Sequence, residues 1–253
     1  MTSTDQHVLH QVIRSITSVL KNPASDSPQT SQALRGEICR VFEQQGAYAR
    51  VQLEGDGYEG YVETAALSKN LEVPTHWVSV PSTLNYPQPH IKSHPGLFLS
   101  MNAQVRATSV EGNFTALSGG GYIFSDHLFP MGKHHADVVA VAEQFLNAPY
   151  YWGGKSGHGI DCSGLVQISL QACGLLSPRD SGEQEKQLGI PINDFHNLRR
   201  GDLVFWPGHV GMMQSPTHLI HANGYFMKVT SDLLSDVIFR SDKPISNIKR
   251  LLD

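Results

Sequence analysis

Apolar residues in the first twenty positions fall at Val8, Leu9, Val12, Ile13, Ile16, Val19 and Leu20, and Pro23 follows. That spacing predicts an amphipathic helix over residues 1–22, stopped by the proline. Asn22 to Ser31 is rich in Pro, Ser and Asp and reads as a loop. The period then shortens to that of strands. Ile38 to Phe42 precedes a Gln44-Gln45-Gly46 turn, and Ala47 to Leu53 sets Ala49, Val51 and Leu53 on one face. Gly55-Asp56-Gly57 is a hairpin signal leading into Tyr58 to Val62. A weaker copy runs from Val105 and Ala107 through the Glu111-Gly112-Asn113 turn and Phe114 to Leu117. It continues across Gly119-Gly120-Gly121 into Tyr122-Ile123-Phe124. The copies end alike, as Gly60-Tyr61-Val62 with Leu67 beyond and as Gly121-Tyr122-Ile123 with Leu128 beyond. Two small β-barrels in tandem are predicted, over 23–80 and, in degenerate form, 81–130. The proline-rich stretch Pro74 to Pro95 joins them or supplies loops.

From 131 to 253 the pattern changes to α+β. His135 to Asn147 carries Val138, Val139, Val141, Ala142, Phe145 and Leu146 at helical spacing, and Ser163 to Cys173 is a second helix closed by Gly174. Leu203 to Trp206 and Val210 to Met213 follow as apolar strands, with a shorter one around Leu219 to Ala222.

Composition narrows the function classes. The chain has 253 residues, 40% of them hydrophobic and 17% charged, with a net charge of −4. A nucleic-acid partner would show as a basic patch or high pI, and neither is present. No stretch approaches the ~20 apolar residues of a membrane span, so no membrane partner is expected. The first residues lack a basic start and an unbroken apolar core, so they do not read as a secretory signal. Cys39, Cys162 and Cys173 are odd in number and widely spaced, which implies no disulfide framework. A reducing, cytoplasmic setting is the expectation.

Candidate chemistry centres on Gly159-Ile160-Asp161-Cys162-Ser163-Gly164, directly before the apolar run Leu165 to Leu170. This puts the Cys162 thiol in the first turn of a helix, where free N–H groups and the helix dipole lower its pKa and favour a nucleophilic thiolate. A small core residue is the competing reading. His209 opens one strand and His221 lies on the next. A hairpin centred on Ser215 sets them directly opposite, as base and orienter, unless they are two unrelated histidines among thirteen. Upstream, the paired glycines of Tyr150-Tyr151-Trp152-Gly153-Gly154 permit close backbone approach, and the aromatics can wall a cleft or simply pack. Tyr150 and the Cys162 N–H are candidate donors to a tetrahedral oxyanion. Gly154-Lys155-Ser156 is not a phosphate loop, because Pro149 stands where its first glycine belongs. His134-His135 lacks any supporting metal motif, so neither a metal nor another cofactor is expected.

These residues resemble the NlpC/P60 cysteine peptidases of bacterial cell-wall metabolism. The match runs through Tyr150-x-Trp152-Gly153-Gly154, Asp161-Cys162-Ser163-Gly164-Leu165-Val166, Arg200-Gly201-Asp202-Leu203-Val204-Phe205, His209-Val210-Gly211 and Ile220-His221-Ala222, in the expected order. The resemblance covers about half the chain and implies a papain-like core with Cys162 as nucleophile, His209 as base, His221 as the polar third member and Tyr150 near the oxyanion. The upstream repeats are similar to bacterial SH3-type barrels. By the same resemblance, Asp161, Ser163, Ser181 and a barrel tyrosine, placed at Tyr61 with Tyr58 close by, hold the substrate's α-amino group, and Trp152 lines the substrate site. The implied partner is a free murein peptide, L-Ala-γ-D-Glu-diamino acid, cut after the D-Glu in cell-wall peptide recycling. A thiol amidase or acyltransferase, and a non-catalytic wall-binding protein, are the alternatives.

Overall fold

The computed structural model describes residues 8–192 and 197–251. It divides into two compact units, one ending at Lys133 and one beginning at His134. No helix among the described residues is long and apolar enough to cross a membrane.

The first seven strands are β1 (Val8–Val12), β2 (Ile16–Leu20), β3 (Gln29–Leu34), β4 (Ile38–Gln45), β5 (Tyr48–Leu53), β6 (Glu59–Glu63) and β7 (Leu67–Ser68). They form one sheet in the order β3-β2-β6-β5-β4-β1-β7. The helix predicted over 1–22 is therefore not formed where the chain is described; residues 1–7 lie outside the described part. The apolar positions that mimic a helical stripe, Ile13 apart, belong to two strands with Ile13, Arg14 and Ser15 between them. Val8, Val12, Ile13, Ile16, Thr17 and Val19 are β-branched and stiff at χ1, which favours a pleated surface. Val12 and Val19 join Ala33, Cys39, Ala49, Val51, Leu53 and Val62 in the core of this sheet. The seven-stranded sheet thus includes strands before residue 23, and part of the expected 22–31 loop is strand β3.

The next strands are β8 (His76–Val78), β9 (Ser82–Asn85), β10 (Leu97–Ser100), β11 (Gln104–Val105), β12 (Ala107–Glu111), β13 (Phe114–Leu117), β14 (Tyr122–Phe124) and β15 (Leu128–Pro130). They fall into separate two- and three-stranded sheets, β10-β9, β11-β8-β15 and β12-β13-β14. Their core is Val78, Leu99, Ala103, Val105, Ile123 and Leu128. The likeness of the two endings is structural as well as sequential. Each runs from a strand through one 3₁₀ turn, Thr64–Ala66 or Ser125–His127, into a short strand starting at Leu67 or Leu128. Val62 and Ile123 are fully buried at equivalent points.

The second unit holds helix α1 (Val138–Glu143), strands β16 (Lys155–Ser156) and β17 (Gly159–Ile160), and helices α2 (Cys162–Ala172) and α3 (Ser181–Gln187). After these come β18 (Ile190–Pro191), β19 (Leu203–Trp206), β20 (His209–Met213), β21 (His218–Asn223), β22 (Lys228–Leu233), α4 (Leu234–Arg240) and β23 (Asn247–Arg250). The six longer-range strands form one sheet, β18-β23-β19-β20-β21-β22. Val204, Trp206, Met213, Leu219 and Ile248 pack with Leu234 and Val237 of α4. Helix α2, buried along nearly its whole length, packs against β20 and β21. Helix α1 is shorter than the sequence predicts. The Asp137 carboxylate caps it by accepting from Val139 N–H and Ala140 N–H, at 2.8 and 3.2 Å.

Candidate active site

Cys162 is the first residue of α2, and its thiol is packed in the interior of the unit, 7% exposed. The Asp161 carboxylate caps this helix, accepting from Gly164 N–H at 2.7 Å, while its second oxygen accepts from Gly153 N–H at 2.9 Å. Two glycines make the close approach possible. Gly153 has φ +73°, and a Cβ on Gly164 would stand 2.2 Å from the Gly154 carbonyl oxygen. The Arg179 guanidinium completes the arrangement. It donates to both Asp161 oxygens, at 3.0 and 2.7 Å, to Ser163 Oγ at 3.0 Å and to the Gly154 carbonyl at 3.2 Å. This fork-on-fork ion pair is buried, with side chains 1% and 8% exposed. No sequence signal marked Arg179; the rule that a buried carboxylate needs a paired cation was the only available pointer.

The thiol does not carry the lowered pKa that its place at a helix start predicts. Burial pushes it up to about 11, the Asp161 carboxylate adds to the rise, and N–H groups of Val210 and Ser163 oppose it. The Val210 contact places the sulfur at the start of β20, the strand that His209 opens. Tyr150 lies close enough to feel both Cys162 and Asp161, but burial is the main reason its phenol rises to about 12. The phenol therefore stays protonated, as a hydrogen-bond donor must. Its backbone N–H donates to the Met227 carbonyl at 2.9 Å, which fixes the segment.

The two histidines meet, though not by the expected register. Strands β20 and β21 pair Met212 with Ile220 and Met213 with Leu219, two residues out from a hairpin centred on Ser215. A slip of two leaves every side chain on its original face, whereas a slip of one would have reversed it. His209 and His221 become diagonal neighbours, and their rings make an Nε2–Nδ1 contact of 2.8 Å. Behind His221 stand two residues that the sequence reading missed. Asp232 on β22 takes a hydrogen bond from His221 Nε2 at 3.1 Å and one from Thr230 Oγ1 at 3.0 Å. Arg240, the last residue of α4, pairs with the same carboxylate. The signal for Asp232 was a second hairpin after β21: Thr230 pairs with His221, which puts Asp232 on the same face one step along.

This chain fixes where the protons are. Burial alone would raise the Asp232 carboxyl, but bonds from Arg240, His221 and Thr230 hold it below its ordinary range, so it is ionised and can only accept. His221 Nε2 is then the donor and Nδ1 the acceptor. His209 Nε2 must donate to it, which leaves the lone pair of His209 on Nδ1. Arg240 Nη2 also approaches His221 Nε2, at 3.4 Å, but the ionised Asp232 oxygen lies nearer, at 3.1 Å, and needs a donor. Burial lowers both imidazoles: His209 falls to about 3, with His221 and Arg240 adding to the effect, while for His221 the Asp232 hydrogen bond and charge oppose it. At rest the thiol and the imidazole are both neutral.

The remaining predicted site residues are placed as follows. Ser163 lies in the first turn of α2, and its Oγ is 3.4 Å from Asp161 Oδ1. Ser181 opens α3. The neighbouring Gln184 anchors that helix by donating from Nε2 to the Ser163 and Pro178 carbonyls, each at 2.9 Å. Trp152 is 66% exposed, beside the glycine pair. Tyr61 lies on β6 in the first unit, whereas Tyr58 packs against that unit's core. The Asp161 oxygens accept two backbone N–H groups and a bidentate guanidinium.

The sequence profile of the NlpC/P60 family matches residues 147–242, and that of the bacterial dipeptidyl-peptidase Sh3 domain matches residues 19–67. A γ-D-glutamyl-L-lysine dipeptidyl-peptidase of Bacillus cereus is 28% identical over 76% of this chain and 66% of its own length. The protein of the same name from Bacillus subtilis is 25% identical over 86% of this chain and 80% of its length. Dipeptidyl-peptidase 6 of Lysinibacillus sphaericus is 37% identical over 39% of this chain and 36% of its own. The crystal structure of an NlpC/P60 family protein from Bacillus cereus has the same fold, with a TM-score of 0.83 at 22% identity, over 97% of this chain and 100% of that one. The chain carries an NlpC/P60 domain, of mixed α and β structure rich in strands, behind an N-terminal bacterial SH3-type domain.

Proposed function

We propose that this chain is a cysteine peptidase that releases a dipeptide from free murein peptides, cutting the γ-D-glutamyl–diamino acid bond of substrates with an unblocked N-terminal L-Ala. The observation that carries this reading is the hydrogen-bonded series Asp232, His221, His209, whose last member precedes Val210, the residue whose N–H bonds the Cys162 thiol at the start of a buried helix. Cys162 Sγ attacks the amide carbonyl as its proton passes to His209 Nδ1. The oxyanion so formed takes hydrogen bonds from the Tyr150 hydroxyl and the Cys162 N–H. Collapse breaks the C–N bond, and the leaving amine takes the proton back from His209. Water, deprotonated by His209, then hydrolyses the thioester and frees the thiol.

The D-Glu linkage and the diamino acid are supported by the names of the relatives from Bacillus cereus and Bacillus subtilis, and the demand for a free amino terminus by their being dipeptidyl-peptidases. Asp161, Ser163, Ser181, Tyr61 and Trp152 keep their expected substrate contacts as part of this proposal. A cytoplasmic role in peptide recycling belongs to it too, and cell fractionation checks the location. The same reading takes residues 81–130 as a second, degenerate barrel, on the strength of the ending shared with the first.

The test compares L-Ala-γ-D-Glu-L-Lys with the same peptide acetylated at its amino terminus. Release of L-Ala-D-Glu from the free peptide alone is expected. Equal cleavage of both would refute dipeptide release and favour a less selective thiol amidase.

A further inference from the structure

The hydrogen-bonded series Asp232, His221, His209 can carry its protons in two directions, and only one of them makes a base. With Asp232 ionised, it accepts from His221 Nε2, His221 Nδ1 accepts from His209 Nε2, and His209 Nδ1 keeps its lone pair. A proton gained by the Asp232 carboxyl and offered to His221 Nε2 reverses every bond. His221 then donates from Nδ1, His209 accepts at Nε2, and the His209 hydrogen sits on Nδ1. Each ring still holds one proton, yet the atom that must take the thiol proton is occupied. A proton gained by His209 itself blocks the same atom. We infer that Arg240 is a positioning residue whose guanidinium, paired with Asp232, holds the series in the productive direction and so sets the pH below which the base is lost. The effect on turnover rests on the peptidase reading; the effect on the rings does not.

Arg240 ends α4, and the Nη2 atom that pairs with Asp232 Oδ2 also lies 3.4 Å from His221 Nε2. That one carboxylate oxygen accepts from Arg240, His221 and Thr230. A hydrogen placed on it would face three donors, so the geometry fits an ionised oxygen. The rings of Tyr225 and Phe226 steady the guanidinium, with centroids 5.0 and 5.2 Å from its carbon. The Arg240 and Asp232 side chains are only 20% and 14% exposed, so salt screens the pair little. The charge reaches the rings as well, since Arg240 helps to lower both imidazoles while it holds the Asp232 carboxyl down. Other charged groups nearby are turned to different tasks. On β22, Lys228 donates from Nζ to Asn147 Oδ1 at 2.9 Å, and after α4, Lys243 donates to the Pro207 carbonyl at 3.1 Å. Asp236 on α4 and Asp242 beyond it are exposed. On the thiol side, His209 faces Cys162 across the start of β20.

The test follows kcat for L-Ala-γ-D-Glu-L-Lys from about pH 4 to about pH 8 in the wild type, Arg240→Gln and Arg240→Lys. Glutamine keeps a planar donor and removes the charge, whereas lysine keeps the charge and removes the fork. Loss of a cation raises the pKa of each group that faces it. Activity in Arg240→Gln should therefore fail at a pH higher by about one unit or more, roughly a tenfold loss on the acid limb. KM should change little, and the rate should recover toward pH 8. Arg240→Lys should keep its limb near that of the wild type. An unmoved limb in Arg240→Gln, an equal loss at every pH, or the same rise in Arg240→Lys would overturn the inference. The ring nitrogens give a readout independent of turnover. In Cys162→Ala protein with isotope-labelled histidines, nitrogen NMR is expected to find hydrogen on Nε2 of both rings at neutral pH. Adding Arg240→Gln should raise the pH at which His209 Nδ1 gains a proton. If that pH moves but the wild type cleaves no peptide, the positioning role stands and the peptidase reading fails. If it does not move, the role is refuted whatever the rates show.

Discussion

The Cys162 thiol lies between opposing influences, a helix N-terminus that favours the thiolate and a buried, carboxylate-flanked site that disfavours it. Burial wins, at about 11 for the thiol and about 3 for His209, so the pair rests uncharged and the proton moves only during attack. Below its pKa a raised acid stays protonated. Alkylation of Cys162 by iodoacetamide should therefore climb steadily from pH 6 to pH 9, and a plateau reached below pH 6 would show a pre-formed thiolate–imidazolium pair instead. Asp232 acts one residue further back. Replacing it with Ala removes the acceptor that sets the His221 tautomer, and kcat should fall by roughly 10²-fold or more, as when the acid behind a catalytic histidine is lost. Asp232→Asn keeps an acceptor oxygen, so part of the rate should return at unchanged KM. Equal loss in both variants would mean that the charge, and not the tautomer, is what matters.

At the scale of elements, the start of α2 is welded to the Gly153-Gly154 loop and to the segment before α3. Gly164→Ala puts a methyl group into the Gly154 carbonyl, and because a backbone atom must move, the cost should reach about 1–3 kcal/mol. Thermal denaturation checks it; an unchanged midpoint would show that the loop yields freely. Arg179→Met leaves the Asp161 carboxylate buried without its cation, at a cost of about 3–5 kcal/mol. The double change with Asp161→Asn should recover part of that loss, and denaturant titration of the three proteins would reveal whether it does.

Across the whole molecule, elements whose signal is local could be read from the sequence. Helix α2 announced itself by a capping aspartate, a continuous apolar run and a closing glycine, and β19 was bounded correctly at both ends. Cys162, His209 and His221 could be singled out in the sequence because each opens or lies on such an element. Features set by tertiary packing were not legible. Strands β1 and β2 imitate a helix because their β-branched residues happen to repeat at helical spacing, and only the seven-stranded sheet decides between the two. The β20–β21 register depended on a turn that tightens one residue later than Ser215. Arg179 lies in a loop, Asp232 on a strand with one buried apolar residue and Arg240 at the end of a helix whose buried residues are Leu234 and Val237, and their roles appear only when the sheet, α2 and α4 are assembled around them.

The central claim is that Cys162 carries out amide hydrolysis on a γ-D-glutamyl peptide. The direct measurement incubates the wild type and Cys162→Ala with L-Ala-γ-D-Glu-L-Lys and follows L-Ala-D-Glu by mass spectrometry. The account predicts steady dipeptide release by the wild type and none above background by the variant. No product from the wild type, or equal product from both proteins, would contradict it.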